Sequence, residues 1–560
     1  MVTASRPPGF KLTAPLGHAM WWVALPILLI LAPIVLYLIY VLRFGVNVPW
    51  WDEWNFIPIL HAMLTGHLTW AALWSQHNQD RILFPNIVEL ILALVTRYNV
   101  EDELLASSAL LILTFCGIAG LYLRHRLGSL WGLIPVAALL FSLVQNYNSL
   151  SGFALLWFLG LFGLAVALIS LDRLAVRWWV LPIAVLGATL ASYSSLQGLL
   201  VWPAMLPYFL RVGSTWTQRG LWAGLAVIAW MFYFAGLNLL PSGIGGSNIF
   251  FALQHPLSAF HYLVVLVGSV IPVPFGESTS MFGAIILALT AAAFGWCCTA
   301  DRLRRDPALS FPLALLLYGF LFDVVTTVGR SSFGAIEATS PRYTTDTLIL
   351  LIGLYLILLR WRQQKAPTPG AGWGGLLLGA LGVVLVFQVV VSVRAGWQDG
   401  INSGSNRLLA ADLVVNLDRA PVSLVEDFVY PYPGPYLPAQ VRVLERYHLS
   451  VFGTPAARAY ARLGVVPGGK LLPDLPASPA VEADLRTSKA ESRAWAVLST
   501  LYRSRLDLQS AFARGSANFT FRLLTWATTS GVGPDADSVF LLPYRVQLDR
   551  LLKVATPNDS

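Results

Sequence analysis

The chain has 560 residues, of which 56% are hydrophobic and 12% are charged, whereas soluble domains carry about 25% charged residues. This composition excludes a soluble enzyme, a disordered chain and a fibrous repeat, and it predicts an all-α polytopic membrane protein. The net charge of +8 does not indicate a nucleic-acid partner, because most basic residues lie in short gaps between apolar segments, where they mark membrane topology.

A membrane-spanning helix needs about 20 mainly apolar residues. The first apolar run follows 19 polar residues and has no small-residue cleavage site after it, so we expect an uncleaved first helix with the N-terminus in the cytoplasm. Eleven segments qualify as spans, namely 20–42, 104–123, 130–144, 153–171, 178–193, 198–212, 220–240, 281–299, 309–328, 344–360 and 374–393.

Two further apolar stretches, 84–96 and 257–274, are ambiguous. If both stay on the outer side, every basic gap falls inside, as the positive-inside rule requires. If 84–96 spanned the membrane, Arg124 and Arg126 would be moved outside. We therefore expect both stretches to lie on, or dip into, the outer side of the membrane. The first outer loop is then 43–103.

After residue 394 the chain becomes more polar and is expected to stay outside. Its Pro- and Gly-rich stretch 430–436 predicts an ordered linker or loop. Helical patterns occur after residue 394 at 404–419, 437–449, 485–514 and 517–529. The sequence thus predicts two domains, a transmembrane module at 1–395 and a small, mostly helical extracytoplasmic domain at 396–560.

The first outer loop begins with Asp52 and Glu53 between tryptophans. An interfacial carboxylate in an apolar wall can be desolvated, which raises its pKa and makes it a better base. The alternative is a charged end to the first helix within an aromatic belt. The residue types alone leave both interpretations open.

A polar cluster later in the same loop contains His77, Asn78, Asp80 and Arg81. The first three can donate or accept hydrogen bonds with a sugar, and the arginine can bind a phosphate. Alternatively, Asp80 caps the helix predicted after it.

The loop 329–343 breaks the positive-inside rule with Arg330 and Arg342. Arginine is well matched to bidentate phosphate recognition, which favours a lipid-phosphate site. The alternatives are snorkelling to lipid headgroups and pairing with Glu337 or Asp346. Asp323, in the preceding predicted helix, is a further intramembrane candidate.

Other polar residues lie at the remaining outer openings. Asn146 and Gln197 could contact a sugar. Asp52 or Glu53 could share a divalent cation (Mg or Mn) with a histidine, but no ligand spacing in the sequence supports such a site. Nucleotide-binding and serine-hydrolase motifs are missing where such sites would need them.

Three short motifs resemble the GT-C superfamily of membrane glycosyltransferases, including bacterial members of unknown function. They are Trp51-Asp52-Glu53-Trp54, Gln76-His77-Asn78 to Arg81, and Pro341-Arg342-Tyr343. The acidic pair after the first span, the outer juxtamembrane helices and the outer C-terminal domain fit the same layout. The resemblance implies a GT-C-like fold in the bacterial inner (plasma) membrane.

The resemblance also implies a reaction. Asp52, or else Glu53, would deprotonate an acceptor hydroxyl, which attacks the anomeric carbon of a polyprenyl-phosphate-linked sugar and inverts its configuration. Arg330 and Arg342, with Tyr343 beside them and Arg81 as a further candidate, would hold the departing phosphate. His77, Asn78, Asp80, Asn146, Gln197 and Glu337 would contact the sugar or the acceptor. The acceptor could be a glycan, a lipid or a protein.

Two other functions compete with this interpretation. A transporter or flippase of lipid-linked glycans would need a polar path, yet the predicted helices carry almost no charge apart from Asp323. A non-catalytic membrane scaffold would tolerate replacement of Asp52, Glu53, Arg330 and Arg342, whereas an enzyme would not.

Overall fold

The computed structural model describes residues 16–453, except for 175–176, 212, 239–249, 300–301, 365–371, 416 and 418–421. The predicted helices 485–514 and 517–529, and with them most of the predicted C-terminal domain, lie outside the described residues. The described chain is mainly helical.

Eleven of the described α-helices lie between residues 16 and 210. In chain order they are α1 (Leu16–Phe44), α2 (Ile57–Leu64), α3 (Trp70–Leu73), α4 (Leu83–Thr96), α5 (Val100–Arg124), α6 (Ile134–Leu140), α7 (Asn146–Ser149), α8 (Leu155–Leu171), α9 (Val180–Ser192), α10 (Val201–Ala204) and α11 (Leu206–Leu210).

Ten more lie between residues 216 and 447. They are α12 (Trp216–Phe234), α13 (Phe251–Gln254), α14 (Pro256–Gly268), α15 (Glu277–Cys298), α16 (Arg302–Arg305), α17 (Ser310–Arg330), α18 (Thr344–Gln364), α19 (Gly372–Val415), α20 (Val422–Phe428) and α21 (Tyr436–Tyr447).

Among the described residues, seven helical segments are long and apolar enough to cross a membrane. Each overlaps one of the predicted spans, so these seven predictions of apolar helices are confirmed. The other four predicted spans fall on α9, α10 with α11, α12 and α19, and the total of eleven stays a prediction. The seven segments are Val23–Phe44, Val100–Arg124, Leu130–Ser149, Gly152–Leu171, Glu277–Cys298, Pro307–Phe333 and Pro341–Gln364.

The two ambiguous stretches are the helices α4 and α14, both too short to be counted among those seven. Helix α4 buries Asn86, Leu90 and Ala93 on one face, at the three- and four-residue spacing of a helix. Val95 is 79% exposed on the other side. An apolar face left exposed beside a buried one suits a helix on a membrane surface.

A small hairpin lies in the first outer loop. Strands β1 (Gln76–His77) and β2 (Asp80–Arg81) pair antiparallel, with His77 opposite Asp80. The turn residue Asn78 has φ +51°, a left-handed conformation that asparagine tolerates well. The polar cluster of the sequence is therefore a turn rather than the cap of α4.

Helix α19 runs for 44 residues through the predicted domain boundary at 395. It packs closely on its neighbours, because a Cβ at Gly396 would lie 2.4 Å from the carbonyl oxygen of Leu143 and one at Gly400 would lie 2.5 Å from the Tyr40 ring. Beyond it, α20 and α21 share an apolar core with the first outer loop. That core includes Trp54, Ile57, Leu60, Leu413, Val425, Leu437 and Leu444.

Candidate active site

The two neighbouring carboxylates of the first outer loop have different surroundings. Glu53 is 3% exposed, whereas the side chain of Asp52 is 45% exposed. Both belong to a 3-10 helix at Trp51–Phe56 that follows α1. One carboxylate is therefore part of the packed interior, and the other faces open space.

Both oxygens of the Glu53 carboxylate accept hydrogen bonds. Oε2 accepts from the backbone N–H of Trp50 at 3.0 Å. Oε1 accepts from the Ser151 hydroxyl at 3.0 Å and from the Gly152 N–H at 2.8 Å. Ser151 and Gly152 lie just before α8, and the positive end of a helix favours an anion. Burial raises the pKa of Glu53, while the charge of Arg407 and the hydrogen bonds from Trp50, Ser151 and Phe153 oppose the shift.

Gly152 leaves the space that this arrangement uses. A Cβ there would lie 2.4 Å from Oε2 of Glu103 and 3.5 Å from Cδ of Glu53. We expect Gly152→Ala to lower the free energy of unfolding by about 1–3 kcal/mol, the usual cost of overpacking. The measurement is the thermal midpoint of the purified protein. Gly120→Ala, in α5 where a Cβ would meet nothing within 4 Å, is the control, and equal midpoints for the two variants would contradict the expectation.

Asp52 lies on the wall of a cavity of about 640 Å³. Its Oδ1 is 3.6 Å from Nε2 of His77, and the His77 ring packs against Phe153 at 4.7 Å. The hairpin thus brings His77 and Asn78, both predicted site residues, to the same cavity as Asp52.

The backbone beside Asp52 is strained. Trp51 has φ +54°, an uncommon conformation for a bulky residue. Its N–H donates to the carbonyl oxygen of Val429 at 3.1 Å, which holds the turn in place. Strain of this kind is concentrated at functional sites, where the surrounding structure holds it.

Arg81 has another use in the structure. Its Nε donates to the carbonyl oxygen of Tyr233 at 3.1 Å, its Nη1 to that of Trp74 at 2.9 Å and its Nη2 to that of Ala235 at 2.6 Å. The side chain is 6% exposed. These bonds tie the hairpin to the end of α12, so the Arg81 guanidinium is bonded to the backbone rather than directed at a ligand.

Arg330, at the end of α17, approaches the hairpin from the other side. Its Nη2 is 3.4 Å from Oε1 of Gln79, and the side chain is half-buried. Asp80, in the same hairpin, accepts a hydrogen bond from the N–H of Leu196 at 2.7 Å, and Gln197 follows directly. Burial raises the pKa of Asp80, opposed by the charges of His77 and Arg330 among others.

Arg342 lies in a polar cluster with its neighbours. Its Nη2 donates to the Tyr343 hydroxyl at 2.8 Å and also contacts Glu337, so the pairing named as an alternative is present. The Nε atom is buried without a hydrogen-bond partner. The Arg342 carbonyl accepts from the Asn148 side chain at 3.0 Å, which links this loop to α7.

Asn146, predicted to contact a sugar, points elsewhere. It is 7% exposed and donates to Oδ2 of Asp399 in α19 at 3.0 Å.

Asp323 is also fully buried and accepts from the Thr347 hydroxyl at 2.6 Å. The expectation that Asp323 is nearly the only charge inside the helices is wrong, because Asp346 in the first turn of α18 is 2% exposed.

Arg407 was not predicted to belong to the site. It extends from α19, is 2% exposed and lies over the Trp50 ring at 4.8 Å, with Glu53 within electrostatic range. Burial lowers the pKa of Arg407, and the Glu53 carboxylate opposes this shift. A cation at the start of the mostly apolar stretch 408–415, which is interrupted only by Asp412, is the sequence signal that could have indicated it.

The described residues supply few ligands for a divalent cation at this position. Within the described ranges, no group of three or more His, Cys, Asp or Glu side chains could hold a metal ion. Both Glu53 oxygens already accept hydrogen bonds from protein donors. The possibility of a shared Mg or Mn ion is not supported by this geometry.

Comparison with known proteins leaves the family open. No known protein family matches the chain, and no curated protein matches it. Among solved structures, the chain is similar to the crystal structure of ArnT from Cupriavidus metallidurans bound to undecaprenyl phosphate. The two are 17% identical over 83% of this chain and 82% of that chain, with a TM-score of 0.36. A TM-score of this size establishes no shared fold, so the residues of the site must support any functional assignment.

Proposed function

We propose that the protein is an inverting membrane glycosyltransferase that moves a sugar from a polyprenyl-phosphate donor to an extracytoplasmic acceptor. The observation that carries the proposal is the difference in surroundings between two adjacent carboxylates. Glu53 is buried and hydrogen-bonded on both oxygens, while Asp52 faces a large cavity beside a histidine. A general base must reach the proton it removes, and Asp52 is the carboxylate placed to do so.

In the proposed reaction, the acceptor hydroxyl oxygen attacks the anomeric carbon while its proton passes to Asp52. The bond between that carbon and the lipid-phosphate oxygen breaks, and the phosphate leaves with the electron pair. Configuration inverts because attack and departure occur on opposite faces. Negative charge grows on the phosphate, so fixed cations nearby stabilise the transition state.

Arg330 and Arg342 are the cations we assign to that phosphate. Arg330 and Asp52 both lie within electrostatic range of Asp80. Arg342 and Asp52 both lie within range of Tyr147, whose ring is 6.0 Å from that of Trp50. Each arginine therefore shares an electrostatic neighbour with Asp52, which supports assigning both to the departing phosphate. We place this site on the outer face of the bacterial inner membrane, with eleven spans and a cytoplasmic N-terminus.

We expect Arg342→Gln to raise the KM for the polyprenyl-phosphate donor about tenfold to a hundredfold, because charged hydrogen bonds contribute about 1.5–3 kcal/mol. Steady-state transfer rates at varied donor concentration test this. Arg442→Gln, at an exposed position on α21, should leave the KM unchanged. Because Glu337 contacts Arg342, Arg342→Gln with Glu337→Gln separates loss of phosphate binding from an unpaired carboxylate. An unchanged donor KM in both variants would remove Arg342 from the donor site.

Transfer of radiolabelled sugar by the purified protein in lipid nanodiscs tests the function as a whole. The donors are polyprenyl-phosphate-linked hexoses and pentoses, compared with nucleotide sugars, and Asp52→Asn serves as the inactive control. Transfer from the lipid donors alone supports the proposal. Transfer from nucleotide sugars contradicts it, and movement of intact lipid-linked glycan across proteoliposomes without transfer would establish a transporter.

A further inference from the structure

The segment 430–436, Tyr-Pro-Tyr-Pro-Gly-Pro-Tyr, forms part of the wall of the cavity that holds Asp52. The sequence marks this stretch as an ordered connection, and in the structure it joins α20 to α21. Tyr430, Tyr432 and Tyr436 all line the cavity. The segment has no role in the reaction described above.

The segment is fixed to the first outer loop at both ends. Before it, the carbonyl oxygen of Val429 accepts from the N–H of Trp51 at 3.1 Å. At its end, the Tyr436 hydroxyl donates to the carbonyl oxygen of Trp54 at 3.1 Å. Three prolines restrict the backbone between these points. The rings are therefore held in place before any ligand binds, which lowers the entropy cost of binding.

The exposure of the tyrosines differs along the segment. Tyr430 and Tyr436 are half-buried and pack against each other at 5.5 Å, whereas Tyr432 is 65% exposed. A large ring presented by a rigid loop at the edge of a cavity is a surface on which an apolar face can stack. The C–H face of a pyranose ring is such a surface.

The polar groups of the cavity also point to a ligand. Asn86 in α4 lines it, is 1% exposed, and donates its amide to the carbonyl oxygen of Leu73 at 3.0 Å. Its Oδ1 is buried with no hydrogen-bond partner, which is costly unless a ligand donates to it. Among the described residues lining the cavity there is no lysine or arginine, while Asp52 contributes negative charge. An anionic ligand is disfavoured, and a neutral polyhydroxyl ligand is suited.

We propose that this cavity binds a neutral saccharide, with Tyr432 as the stacking surface and Oδ1 of Asn86 as a hydrogen-bond acceptor for a hydroxyl. If the bound saccharide is the acceptor, the inference rests on the proposed function. The acceptor is then the uncharged sugar end of a glycan rather than a protein side chain or a charged glycan. The binding itself can be measured without catalysis.

Saturation-transfer difference NMR on the full chain in nanodiscs, free of sugar-based detergent, tests the proposal. The probes are maltose and cellobiose, with glucuronate as the anionic counterpart. We expect Tyr432→Ala to weaken disaccharide binding about fivefold or more, Tyr432→Phe to preserve it, and Asn86→Leu to weaken it to a similar extent. Trp70→Ala, at a residue 64% exposed outside the cavity lining, should bind like the wild type.

Each other result overturns the inference. These are no binding of either disaccharide, binding that does not depend on Tyr432, and glucuronate binding as tight as that of the disaccharides. Failure of the proposed function has a different signature. Tyr432-dependent sugar binding without any transfer would reject the enzyme and keep the saccharide site. Transfer whose acceptor KM is unchanged in Tyr432→Ala would keep the enzyme and reject the site.

Discussion

Replacing Asp52 by Asn should lower the rate of sugar transfer by a factor of about 10² to 10⁴, the usual contribution of a positioned base. The amide keeps the size of the side chain but cannot take the proton from the acceptor hydroxyl. Because Asp52 is 45% exposed and contacts only His77 among charged groups within 4 Å in the described residues, the fold should not change. Initial rates from the polyprenyl-phosphate donor, together with the thermal midpoint, measure both effects.

Asp52→Glu provides the matched variant, since it keeps the carboxylate but moves it by one methylene. We expect it to retain part of the activity that Asp52→Asn loses. If Asp52→Asn transfers sugar at the wild-type rate, the base is another residue and the roles assigned to Asp52 and Glu53 are wrong.

Replacing Glu53 by Gln should act on stability first. The Gln amide would turn an N–H group toward either the Trp50 N–H or the Ser151 and Gly152 donors, all of which need an acceptor. Arg407 would also lose its nearby carboxylate while staying 2% exposed. Removing one partner of a directly bonded buried charge pair costs about 3–5 kcal/mol, which is the upper limit for this longer-range interaction. The thermal midpoint should therefore fall clearly below that of Asp52→Asn.

A double-mutant cycle with Arg407→Met tests the electrostatic part of this expectation. If Glu53 and Arg407 stabilise each other, the double variant should lose less stability than the sum of the single variants. Strict additivity would mean that the hydrogen bonds alone account for the effect. A Glu53→Gln protein as stable as the wild type but inactive, beside an active Asp52→Asn, would assign the base to Glu53.

The helical architecture could be read from hydropathy because apolar runs of spanning length leave few alternatives. The seven long apolar helices of the described chain fall where the sequence predicts them. The predicted domain boundary at 395 does not coincide with the end of a helix, because α19 continues past the change in composition there. Beyond that boundary α19 packs against Leu143 and Tyr40, which are far away in the sequence.

The choice between the two carboxylates could not be made from the local sequence. Asp52 and Glu53 share the same neighbours, and what separates them is Ser151 and Gly152, about a hundred positions later. Arg81 shows the same limit, since its carbonyl partners at Tyr233 and Ala235 lie about 150 positions away. A charged residue in a polar loop looks equally available for a ligand or for the backbone until the fold brings its partners together.

The length of α19 sets the geometry of the site. The helix passes from the predicted membrane span at 374–393 to Arg407, which meets Trp50 beside the carboxylates. Each residue added to or removed from a helix shifts everything beyond it by about 1.5 Å and rotates it by about 100°. Substitutions on the exposed side of α19, such as at Val383 or Val390, leave that registration intact. Insertions and deletions between Gly396 and Arg407 do not, so the exposed side of α19 should tolerate substitution, whereas this stretch should not tolerate a change in length.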